Sequence, residues 1–97
     1  MHKKIKFVLF FFFVINIFNS SIGKENFFNK GVELYKNKKY DDARFMFERN
    51  IVFNPKDSNS YLYLAKIYNF EKDQKKEEKN LATALLIEPE NEEAILM

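Results

Sequence analysis

Four carboxylates crowd into "EPENEE" (Glu88 to Glu93), the densest group of potential metal ligands in the chain. Oxygen ligands of this kind suit a hard cation, yet the stretch lacks the Asp/Asn-x-Asp loop with a glycine that wraps calcium. Acids at the start of a helix complement its dipole, and that is the simpler reading of Glu92 and Glu93. Nucleophilic chemistry fares no better: Ser20, Ser21, Ser58 and Ser60 have no histidine or cysteine nearby to activate them. His2 is the only histidine, there is no cysteine, and neither a glycine-rich phosphate loop nor an H-E-x-x-H spacing occurs. "KKEEK" (Lys75 to Lys79) reads as a solvated helix face. The residues therefore imply no catalysis, no metal and no cofactor.

The N-terminus sets the compartment. "MHKKIK" is basic, "FVLFFFFVINIF" (Phe7 to Phe18) is apolar and "NSSIG" is small and polar, the three-part order of a secretory signal peptide. Ser21 and Gly23 place small side chains where signal peptidase requires them, so cleavage is expected after Gly23. Twelve apolar residues make about 18 Å of helix, short of the ~30 Å hydrocarbon core. A cleaved leader over 1–23 is thus favoured over an inner-membrane anchor formed by an uncleaved signal. The processed chain would be secreted or periplasmic, without stable membrane insertion. It would carry thirteen basic and fourteen acidic side chains, since Lys3, Lys4 and Lys6 leave with the leader. That near-neutral balance removes the electrostatic support for nucleic-acid binding.

From Lys24 onward the periodicity is helical. Phe27, Phe28, Gly31, Val32, Leu34 and Tyr35 recur at spacings of three and four, as do Tyr40, Ala43, Phe47 and Ile51. "KNKKYDD" separates these two runs, and "NPKDS" ends the second: Pro55 cannot continue a helix, and Asp57 or Ser58 can cap the next. Tyr61, Leu64, Ala65 and Tyr68 mark a third helix, "NLATALLI" the apolar half of a fourth, and Asn91 caps a fifth begun by Glu92. No alternating run or hairpin signal suggests a strand, so the fold class is all-α.

Pro55 and Pro89 lie 34 residues apart, and laying the chain over itself at that period pairs Phe27 with Tyr61, Gly31 with Ala65, and Leu34 with Tyr68. The same shift pairs Phe47 with Leu81, Ile51 with Leu85 and Phe53 with Ile87, without a gap. A helix-turn-helix unit of this length with Phe27, Gly31, Tyr40, Ala43, Phe47 and Pro55, then Tyr61, Leu64, Ala65, Tyr68, Ala84 and Pro89, resembles the tetratricopeptide repeat. The resemblance divides 24–97 into repeat one (24–57), repeat two (58–91) and the stub of a third (92–97). It implies a fragment of a right-handed α-solenoid. Three residues depart from the pattern. Lys30 replaces an apolar residue, Asn50 a small one, and Glu77 stands at a packed position, which predicts a loose segment between about Glu71 and Lys79.

In this family the first helices of successive repeats line an inner face that binds peptides or partner helices. By resemblance that face comprises Glu25, Phe28, Val32, Tyr35 and Lys36, then Asn59, Leu62, Lys66, Asn69 and Phe70. Phe28 and Val32 replace the Lys and Asn that grip a C-terminal carboxylate elsewhere in the family, so that mode of binding is disfavoured. The expected function is protein interaction or scaffolding with a protein or peptide partner. Self-association across the apolar stripe, and truncation from a longer repeat protein, are the alternatives. The stub is expected to cover Leu81 and Leu85 with Ala94, Ile95 and Met97.

Overall fold

The computed structural model describes residues 26–97. The expected leader over 1–23, and Glu25 of the expected inner face, lie outside them. The described residues form five helices and no strand: α1 (Phe27–Lys36), α2 (Tyr40–Phe53), α3 (Ser58–Phe70), α4 (Gln74–Ile87) and α5 (Glu92–Leu96). The chain is all-α. Helix α1 packs on α2 and α3 on α4, each pair joined by a three-residue turn that makes its helices antiparallel. Helix α3 also packs on α2, linking the pairs.

Short polar side chains start most of these helices. The Asn26 carboxamide oxygen accepts the Asn29 N–H at 3.0 Å, and Asp57 accepts the Asn59 N–H at 3.2 Å. Asp73 and Asn91 cap α4 and α5 by accepting from Lys76 and Ala94. Lys39 makes no such bond at the start of α2, where Asp41 and Asp42 in the first turn favour the dipole instead.

The 34-residue spacing extends to the backbone. Helices α2 and α4 each contain 14 residues, and both their first and last residues are 34 apart. The turns between paired helices match as well: Lys38 and Lys72 take left-handed φ values of 62° and 59°. At each turn the lysine N–H donates to the carbonyl three residues back, and the next N–H reaches five back, to Leu34 in one turn and Tyr68 in the other. These bonds satisfy carbonyls left open at the helix end. The turn around Glu71 to Asp73 is therefore built like its counterpart. Glu77 is half-buried rather than packed, and its Oε1 accepts from Asn69 Nδ2 at 3.0 Å.

Two apolar clusters meet on α3. One buries Ala43, Phe47, Leu64 and Ile67, with Phe28, Val32, Leu34, Tyr35, Tyr40 and Tyr63 packed around it. The other buries Leu62, Ala84 and Ala94 against Tyr61, Leu81 and Leu85. Phe47 can enter the first because Gly31 has no side chain: a Cβ there would come within 2.8 Å of the Phe47 ring. Asn50, the second departure from the repeat pattern, is buried but satisfied, since its amide donates to Asp57 Oδ2 and Ser60 Oγ at 2.9 Å each. In the second pair, Ser58 Oγ donates to the Ala84 carbonyl at 3.0 Å, and Asn91 Nδ2 donates to Ser58 Oγ at 3.1 Å.

Candidate interaction face

Rings from α1, α2 and α3 assemble the expected inner face. Phe28 meets Phe47 and Tyr63 edge-on, both at 5.8 Å between centroids. Tyr35 contacts Tyr63 at 5.2 Å and Phe70 at 6.3 Å, and Phe70 stacks on Tyr40 at 4.7 Å. Phe70 is nevertheless 57% exposed, so one side of its ring is open to solvent. Offset and edge-on ring pairs add about 0.5–1.5 kcal/mol beyond their burial.

Phe28, Val32, Tyr35, Lys66 and Phe70 share this face, with Val32 half-buried against the first cluster. Lys66 does not present a free ammonium, since its Nζ lies 3.1 Å from Glu93 Oε2 and 5.1 Å from the Tyr63 ring centroid. Lys36 is exposed at the end of α1, and Asn69 is exposed with its amide engaged by Glu77. Asn59 is exposed and accepts from Asn91 Nδ2 at 3.3 Å. Leu62 requires a correction: it is 1% exposed and packs with Ala84 and Ala94 in the second cluster, so it supports the face from behind. By spacing Leu62 belongs to the Asn59–Lys66 stripe, three residues after one and four before the other, yet its side chain packs toward α4 and α5.

Tyr63 is the member that the repeat resemblance omitted. It touches Phe28, Tyr35 and Phe47 and sits four residues after Asn59 and three before Lys66, a spacing that places it on the same stripe. Its partner at the 34-residue shift is the exposed Asn29, and that polar residue hid it.

Electrostatics divide the face. Burial raises the Tyr35 hydroxyl above its ordinary value of 10.0, against the lowering pull of Lys66, so it remains a neutral donor at physiological pH. Tyr68, behind the face, is raised for the same reason and by Glu48. Arg44 ties α2 to the end of α3 through a 2.6 Å contact with Glu71, while holding Asp41 at 3.1 Å.

Two cavities open at the end of the face nearest the Pro55 and Pro89 turns, and Phe28 lines both. The first, about 610 Å³, is walled by Phe28, Phe53 and Pro55 with Asn26, Asn54, Lys56 and Asp57 around it. The second, about 440 Å³, lies between Phe28, Tyr63, Asn59 and the glutamates Glu88, Glu90, Glu92 and Glu93. Among the described residues, no three acidic, histidine or cysteine groups converge as a metal site, so these glutamates form a rim rather than a cage. No helix among the described residues is long and apolar enough to cross a membrane. No family model, curated protein or solved structure matches the chain.

Proposed function

We propose that this chain is a non-catalytic protein-interaction or scaffolding module of the tetratricopeptide kind, exported by its N-terminal leader, which binds a peptide or helix across the first helices of its two repeats. The observation that carries the reading is the ring surface running from Phe28 through Tyr63 and Tyr35 to Phe70, linked by mutual contact and open at Phe70. Exposed aromatic anchors in a packed frame are what binding hot spots are made of. The equal lengths of α2 and α4 and the matching turns at Lys38 and Lys72, both at a shift of 34 residues, support the repeat assignment, and with it a right-handed stacking of the pairs.

Crosslinking in the native compartment, followed by identification of the captured protein, tests this reading. Phe70→Ala and Tyr63→Ala should abolish a specific crosslinked band while the helical signal in circular dichroism persists. A band unchanged by both substitutions would refute the proposed face. Export has its own test: the recovered protein should begin at Lys24, and an intact N-terminus on an envelope-anchored protein would favour the inner-membrane alternative.

A second reading, self-association, is favoured by a different surface. Leu86 is 83% exposed, Ile95 59% and Leu96 85%, all on α4 and α5. Leu96 lies 34 residues after Leu62, which α4 and α5 bury, so the equivalent position in α5 is uncovered. Sedimentation across a concentration series separates the readings, because a dimer abolished by Leu96→Asp would assign this edge to self-contact.

A further inference from the structure

The two cavities on either side of Phe28 differ in chemistry, and the difference restricts what they can hold. Phe28, Phe53 and Pro55 give the first an apolar wall, with polar groups only around it. Phe53 is 69% exposed and stacked on Phe27 at 5.8 Å, so its ring is held in place while offering a free surface.

The second cavity has an aromatic floor, Phe28 and Tyr63, beneath a rim of glutamates, and no cation lines it. Lys66 is the nearest, and it already pairs with Glu93. Glu88, Glu90 and Glu92 have no ion-pair partner among the described residues, since the bridges there involve Arg44, Lys66 and Lys76. The negative potential of such a rim disfavours an anion. An alkyl stem lying on the rings with its charged end at the carboxylates satisfies floor and rim together.

Resting on the reading of this chain as a peptide-binding module, we infer that the paired cavities take an extended protein segment carrying an apolar side chain and, two residues along so that both point to the same side, a lysine or arginine. The apolar side chain fills the space between Phe28, Phe53 and Pro55. The basic one crosses Tyr63 to Glu88 and Glu90. The asparagine amides bordering the cavities, Asn54 and Asn59, are placed to meet the segment's backbone.

Fluorescence anisotropy of the full chain with labelled short peptides tests the inference. The set contains a peptide with a central phenylalanine and a lysine two residues later (Phe-Lys), the same peptide with glutamate for that lysine (Phe-Glu), and the same with serine for the phenylalanine (Ser-Lys). The Phe-Lys peptide should bind at least about tenfold tighter than either relative, with its advantage over Phe-Glu shrinking as salt rises. Combining Glu88→Lys with Glu90→Lys, both exposed and outside the helices, should remove the preference for lysine over glutamate. Phe53→Ser should remove the preference for phenylalanine over serine. Equal binding of Phe-Lys and Phe-Glu, or a lysine preference that survives the double reversal, overturns the inference. Binding of Phe-Glu alone that Phe70→Ala abolishes overturns it while sparing the interaction face. If none of the peptides binds and no Phe70-dependent crosslink forms, the underlying reading fails with it.

Discussion

The α1–α2 pair and the α3–α4 pair share a backbone register but are filled with different chemistry. The first is closed by rings, with Phe47 wholly buried against Phe28 and Tyr63. In the second, Leu81 occupies the position equivalent to Phe47, and no aromatic residue occurs in α4. The small residues opposite change in step: Gly31 leaves room for a phenylalanine, and Ala65 stands in the repeat with the leucine. Repeat geometry therefore specifies a combined volume at these two positions rather than either residue. It leaves the rings free to do a second job, because those that fill the first pair also form the candidate face.

The largest way to break this comparison is to empty the ring core. Phe47→Ala should cost about 3–5 kcal/mol in urea unfolding, for a side chain with no exposed surface. Leu81→Ala, in a half-buried position, should fall at or below the ~2 kcal/mol low end of the Leu→Ala range. Equal losses would mean that the pairs carry equal cores. Asn50 offers the next test. Asn50→Ala reproduces the residue found at Ala84, yet it should destabilise by about 1–3 kcal/mol because Asp57 and Ser60 lose a buried donor. No loss on that substitution would show the polar seam to be incidental.

Gly31→Ala sets helix propensity against packing. Alanine favours a helix over glycine by about 1 kcal/mol, whereas overpacking costs about 1–3 kcal/mol. Packing should win here, since the ring that must move is stacked on Tyr63 at 4.9 Å and met edge-on by Phe28. Adding Phe47→Leu, which copies the second repeat, should recover stability relative to Gly31→Ala alone. A stabilised single variant would show that the ring yields easily. Where the pairs are alike they should respond alike: Lys38→Gly and Lys72→Gly each relieve a left-handed residue and should stabilise by similar amounts, up to about 1 kcal/mol. A large gap between them would break the equivalence of the turns.

The helices, their punctuation and their register were legible because local chemistry decides them: Pro55 and Pro89 stop helices, while Asp57 and Asn91 start them. Side-chain destinations were less legible where long-range contacts decide. Leu62 was assigned to the face and went into the core because Ala84 and Ala94 reach it from the other side. Tyr63 was overlooked because the repeat shift pairs it with Asn29, and the value of its ring depends on Phe28 and Phe47 from other helices. Arg44 and Glu71, 27 residues apart, meet only once α2 packs on α3. The period places Glu77 at the position of Ala43, yet Glu77 is only half-buried and accepts from Asn69.

Helix α5 provides the smallest effect. The sequence assigns Ala94, Ile95 and Met97 to covering Leu81 and Leu85; Ala94 does turn inward, 2% exposed in the cluster with Leu62 and Ala84, while Ile95 is 59% and Met97 44% exposed. One step along a helix is about 100°, enough to exchange an inward position for an outward one. Ile95→Asp should therefore change stability by less than about 0.5 kcal/mol, as surface substitutions do. Ala94→Asp should cost several times more, because it buries a carboxylate at the contact that Asn91 and Ser58 help to close. Reversal of that order in chemical denaturation would mean that α5 is rotated by one residue and that Ile95 caps the second pair.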